Sequence, residues 1–135
     1  MCKTIKQKVS FKATPAEIYA VLADAKTQSR VTGRKAQISE KVGGEFNISD
    51  GFASGINVDL VPGKRVVQAW RGREFAEGIF SMAAFVLTAL PHGGGTQVVL
   101  THRGVPKELI PSVEAFWRER YWSKIREHLG ARESA

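Results

Sequence analysis

The sequence predicts an α+β fold. A curved seven-stranded antiparallel sheet wraps around a long C-terminal helix, and two short helices follow the first strand. Three observations predict it. Residues 4–12 alternate strictly between two faces, and a capped helix start follows at once. From residue 35 to 104 the pattern has a period of two, broken by turns rich in Gly and Pro. From Lys107 to Leu129 the apolar period becomes helical, and the lone proline, Pro111, stands one turn in, where it is tolerated. The chain has 135 residues, 43% hydrophobic and 24% charged, an ordinary composition for one globular domain over residues 1–135.

The elements follow in order. Ile5, Gln7, Val9 and Phe11 form one face of the first strand, and Thr4, Lys6, Lys8, Ser10 and Lys12 the other. Lysines on the wet face discourage pairing with another chain. Thr14, Pro15 and Glu17 make a capping box with proline at the first helical position. Ile18, Val21 and Leu22 then recur at helical spacing, and the helix fades near Asp24. A second short helix is predicted from Thr27 to Val31, ending at Gly33. Strands are predicted over Ala36–Lys41, Glu45–Ser49, Ala53–Leu60, Arg65–Arg71, Gly78–Leu90 and Thr96–Arg103. Val66, Gln68 and Trp70 share a face of the fifth strand. Val98, Leu100 and His102 face inward on the seventh. In the last helix Ile110, Val113, Trp117, Tyr121 and Ile125 recur, with Phe116, Trp122 and Leu129 widening the stripe.

Charge and cysteine usage narrow the function classes. The formal net charge is +7. Residues 1–41 hold nine basic and three acidic side chains, so most of the excess is N-terminal. Lys3, Lys6, Lys8, Lys12, Lys26, Arg30, Arg34 and Lys35 are the one cluster that fits an anionic partner. No helix-turn-helix, zinc-finger or aromatic RNA-binding signature accompanies them, so nucleic acid is not expected. A single cysteine, Cys2, excludes an internal disulfide framework. No apolar run reaches the length of a membrane span or a signal peptide, so no membrane insertion is expected and Cys2 is not a lipobox cysteine. A cytoplasmic location follows.

One helix is only about 10 Å across and cannot touch every inward side chain of a sheet that curves around it. A gap between helix and sheet is the expected consequence, and apolar gaps with few polar groups are typical ligand sites. Phe46, Ile48, Ile79, Phe85, Leu100, Val113, Trp117 and Tyr121 are the apolar candidates for its lining. Gln68, Trp70, Ser81 and His102 are the polar ones. Plain core is the more ordinary reading of each, and ligand contact the alternative. A buried Trp70 indole needs an acceptor, for which Gln68 and His102 are in range by position. No catalytic residue is expected: the serines lack a G-x-S-x-G setting, and the three Gly at 93–95 are not followed by a phosphate-binding helix. No His or Cys falls at ligand spacing, so neither metal nor cofactor is expected.

Five segments carry a family resemblance. Gly43-Gly44-Glu45-Phe46 resembles a GG-x-F step. Residues 59–71, DLVPGKRVVQAWR, resemble an ELVPGKRIVQAWR segment. Glu77-Gly78-Ile79-Phe80-Ser81 resembles an E-G-x-Y-S turn, and residues 95–102 a GT-x-L-x-x-TH strand. Trp117, Tyr121, Trp122 and Ile125 fit a closing W-x-x-x-Y-W-x-x-L helix. In this order they resemble the activator of Hsp-90 ATPase homologue (AHSA-type) family of the START-like SRPBCC superfamily. The resemblance implies the helix-grip (START/Bet-v-like) fold, in its single-domain form. Two positions depart from the pattern. Phe75-Ala76 stands where the family usually has Trp-Pro, and Phe116 stands where a glycine often precedes the tryptophan, which narrows that end of any cavity. The eukaryotic relatives carry a further N-terminal domain for which 135 residues leave no room.

Two functions follow as expectations. The first is a non-catalytic domain that binds a hydrophobic small molecule (a lipid, sterol or aromatic polyketide-like compound) between helix and sheet. The alternative is a co-chaperone-like interaction module that stimulates the Hsp-90 ATPase through its outer surface. The basic N-terminal residues then become its contact. A cyclase-type enzyme, as some superfamily members are, would need a positioned acid or base, for which His102 is the lone residue available.

Overall fold

In a computed structural model that describes residues 3–129, seven strands form one antiparallel sheet in the order β1-β7-β6-β5-β4-β3-β2. The strands are β1 (Lys3–Phe11), β2 (Gln37–Ile38), β3 (Glu45–Ile48), β4 (Ala53–Val61), β5 (Arg65–Gly72), β6 (Ser81–Ala89) and β7 (Thr96–Val105). Helices α1 (Pro15–Ala23) and α2 (Ala25–Thr32) lie between β1 and β2. The C-terminal helix, α3, runs over three stretches: Ile110–Phe116 is α-helical, Trp117–Trp122 is π-helical and Ser123–Leu129 is α-helical. No described helix is long and apolar enough to cross a membrane. Cys2 lies outside the described residues.

The predicted capping box forms: Glu17 N–H donates to Thr14 Oγ1 at 3.2 Å, and Thr14 N–H to Glu17 Oε1 at 2.9 Å. The second helix begins two residues earlier than its apolar spacing suggests. Asp24 ends α1 and also caps α2, accepting from Thr27 N–H and Thr27 Oγ1 at 3.0 and 2.6 Å. These bonds hold its carboxyl below the usual carboxylate range. Gly33 stops α2 at a φ of 72°, which glycine adopts without steric cost.

Two strands are each four residues shorter than predicted. The Ala36–Lys41 strand shrinks to Gln37–Ile38, because Lys41 N–H turns back to Ser39 Oγ and Gly44 N–H to the Lys41 carbonyl. The sixth strand starts at Ser81 instead of Gly78. There the Arg71 guanidinium donates to the carbonyls of Phe75, Ala76 and Ile79 and holds residues 75–79 as a turn.

The sheet's inner face carries Ile5, Phe11, Ile48, Val66, Trp70, Phe85, Val98, Leu100 and His102, all essentially inaccessible. Helix α3 covers it with Ile110, Val113, Phe116, Trp117, Tyr121, Trp122 and Ile125. Burying each large apolar side chain contributes roughly 1.5–3 kcal/mol. The π stretch explains how Trp117 and Trp122, five positions apart, reach one face. Residues five apart on an α-helix point about 140° apart. Closure from i to i+5, as in Ser123 N–H to the Arg118 carbonyl, brings Trp117 and Trp122 onto the same side. Gln7 ties β1 to this helix: its Oε1 accepts from Trp122 Nε1 at 2.6 Å, and its Nε2 donates to the Glu114 carbonyl at 3.2 Å.

Candidate functional site

Of the twelve residues expected to line a helix–sheet cavity, eleven lie in the interior. Phe46 and Ile48 come from β3, Gln68 and Trp70 from β5, Ser81 and Phe85 from β6, Leu100 and His102 from β7, and Val113, Trp117 and Tyr121 from α3; all are buried. Ile79 is the correction: it is 44% exposed, because the Arg71-pinned turn takes it off β6 before inward alternation begins.

These residues meet each other where a ligand was expected. Trp70 and His102 are edge to face at 4.8 Å between ring centroids. Trp117 packs on Trp70 at 5.5 Å and on Phe85 at 5.3 Å. Phe116 stacks on Phe52 at 4.5 Å and abuts Trp70, Trp117 and Tyr121. The space that reaches Val113, between Phe52, Phe75 and Leu109, holds only about 10 Å³, close to one water. A hollow of about 620 Å³ lies elsewhere, over β3 and β4 beside Ile56 and Phe80.

A polar chain runs through this interior. Trp117 Nε1 donates to His102 Nδ1 at 3.0 Å. An indole nitrogen is only ever a donor, so Nδ1 holds the lone pair and Nε2 carries the proton. His102 Nε2 then donates to Ser81 Oγ at 2.7 Å, and Ser81 Oγ donates onward to the Trp70 carbonyl at 2.7 Å. Burial pushes the imidazole down to about 3, so it is neutral. Ser81 and His102 are as close as a nucleophile and its base, but the proton order is the reverse. The imidazole donates to the serine and cannot accept its proton, and both side chains are sealed from solvent.

The other polar groups fall differently from expectation. Trp70 Nε1 finds neither Gln68 nor His102 and has no hydrogen-bond partner among the described residues. Gln68 pairs across the strands with Asn57 at 3.3 Å, and Asn57 Nδ2 donates to the Ser39 carbonyl at 2.7 Å. Asn57 is fully buried beside a β-bulge. Its place in the period-two pattern, opposite Gln68, was the available signal. Tyr121 is raised by burial, partly offset by its hydrogen bond with Gln28. Gln28, buried on α2, also donates to the Val21 carbonyl at 2.9 Å.

The basic N-terminal cluster divides in space. Lys6 and Lys8 are exposed on the outer side of β1, whereas Lys26 and Arg30 lie on α2, which packs against α3 on the inner side. Arg34 sits 3.6 Å from Asp50.

Comparison with known proteins places these features in a family. The model described as activator of Hsp90 ATPase homolog 1-like protein matches residues 12–130. Human activator of 90 kDa heat shock protein ATPase homolog 1 is 32% identical over 96% of this chain, and the Dictyostelium discoideum homolog 26% over 92%. The chain spans 37% and 32% of those relatives' lengths. Among solved structures, an HSP90 activator from Plasmodium falciparum superposes with a TM-score of 0.88 at 20% identity, covering 95% of this chain and 96% of that one. The Aha1 dimer from Colwellia psychrerythraea gives 0.76 at 19%, covering 95% and 98%.

Proposed function

The chain belongs to the activator of Hsp90 ATPase homolog 1-like family, and from that premise we propose that it is a non-catalytic interaction domain that engages an Hsp90-type chaperone in the cytoplasm and stimulates its ATPase. The observation that carries this reading is the family match over residues 12–130, extended by a curated relative at 32% identity across 96% of the chain. The interior agrees with it. Apolar and polar groups there are committed to one another, which leaves the outer surface to do the work. The small-molecule reading has less support, because the residues expected to hold a ligand are in mutual contact. The proton order of Ser81 and His102 speaks for a structural role over a catalytic one.

The test is the chaperone's ATP turnover with and without the purified chain. The expected result is a saturable rise in turnover. An unchanged rate at large molar excess, with no complex detected by sedimentation, would overturn the reading.

A further inference from the structure

The outer face of the sheet is unusual on two counts. It is apolar at its centre: Ile56, Val58, Met82 and Val86 are each 40–45% exposed. Pairing registers make them one band. Lys8, Val99 and Val86 share a row across β1, β7 and β6; Lys6, Thr101, Ala84, Val67 and Asp59 share the next; and Arg103, Met82, Ala69, Ile56 and Glu45 share the one after, across β7, β6, β5, β4 and β3. None of the described helices covers this side, since α3 and α1 occupy the inner one. The border of the band is cationic along β1 and β7, and the exposed Glu45 on β3 stands at its far end beside Ile56. Strands β1, β5, β6 and β7 contain no Asp or Glu, whereas β1 contributes lysines and β5 and β7 arginines. Asp59 on β4 is held by Arg65 at 2.7 Å. Lys6, Lys8 and Arg103 make no ion pair among the described residues.

We propose that this outer sheet face is the docking surface for the chaperone, and that it receives a protein surface apolar at its centre and acidic where it meets β1 and β7. The identity of the partner rests on the co-chaperone reading; the place and chemistry of the contact rest on the sheet. Apolar burial at the centre supplies affinity, while the uncompensated cations steer and orient an acidic border. The hollow beside Ile56 and Phe80 continues the band and offers a recess for an anchoring side chain.

The experiment is a methyl-detected NMR titration of the full chain with a purified Hsp90-type chaperone. Selective broadening at Ile56, Val58, Met82 and Val86, with Ile18 of α1 unaffected, is expected. A Lys6→Glu, Lys8→Glu, Arg103→Glu variant, checked for fold by circular dichroism, should bind about tenfold more weakly at low salt, and the difference should shrink at high salt. Broadening confined to α1 and α2 around Lys26 and Arg30 would overturn this surface and leave the co-chaperone reading standing. No broadening and no change in ATP turnover would remove both. The same methyls shifting when the chain alone is concentrated would show that a second copy covers the face, and would overturn the proposal.

Discussion

His102 shows how one buried titratable group sets a pH dependence. In the unfolded chain its imidazole takes a proton near pH 6.5, but in the folded interior only near pH 3. Between those values the unfolded state binds more protons. Stability is therefore full above about pH 6.5 and falls as the pH drops towards 3. The whole effect is roughly 3–5 kcal/mol. Urea unfolding from pH 7 down to 4 should show this loss in the wild type. It should be shallower in His102→Phe, although that variant starts lower at pH 7, since the Trp117 N–H and the Ser81 hydroxyl lose a partner. Asp24 titrates in both proteins and cancels in the comparison. Equal slopes would show that His102 is not held neutral. The inward position of His102 was legible from alternation along β7, but its partners were not. They come from β6 and α3, and no pattern within one strand says which neighbouring indole, Trp70 or Trp117, reaches the ring.

The C-terminal helix carries a phase jump that its sequence spells out. On a regular α-helix successive residues turn by about 100°. Ile110, Val113, Phe116 and Trp117 then share one side, while Tyr121, Trp122, Ile125 and Leu129 share another, displaced by more than a residue's turn. The apparent widening of the stripe by Phe116 and Trp122 is thus the mark of an inserted residue, which the π stretch Trp117–Trp122 absorbs. Deleting Glu119, exposed within that stretch, should bring both halves into register on a regular helix. The variant is expected to fold, with the Ser123 amide now bonded to the carbonyl four residues before it. Deleting Glu114 instead rotates Ile110 and Val113 away from Phe116 and Trp117 and should be severely destabilising. Thermal unfolding and amide exchange at Ser123 check both outcomes, and the idea fails if the Glu119 deletion is the worse of the two. Strand ends were less legible for a related reason. Arg71 and Ser39 stop β6 and β2 by side-chain bonds to residues whose own pattern reads as strand.

At the scale of the whole molecule, element order and the covering helix follow from periodicity, but two properties depend on tertiary placement. The first is charge. Lysines close in sequence part to opposite sides of the sheet, and the outer half of them joins Arg103, distant in sequence, along the apolar band. The second is the space between helix and sheet. Its existence was argued from the width of one helix against a curved sheet, but three tryptophans, Phe85 and Phe116 are large enough to fill it. Phe116 matters most, because it replaces the glycine frequent at that position in the family it resembles. Phe116→Ala should cost about 3–5 kcal/mol and leave a void walled by Phe52, Trp70, Trp117 and Tyr121. A void of that kind stays dry and accepts a small apolar molecule. Benzene or indole should therefore raise the unfolding temperature of Phe116→Ala and leave that of the wild type unchanged. A rise in the wild type would mean that the interior opens to ligands as it stands, and the small-molecule reading would regain its place. No rise in the variant would mean that Phe52 and Trp117 close over the gap, and that Phe116 is one of several residues, each sufficient to keep it shut.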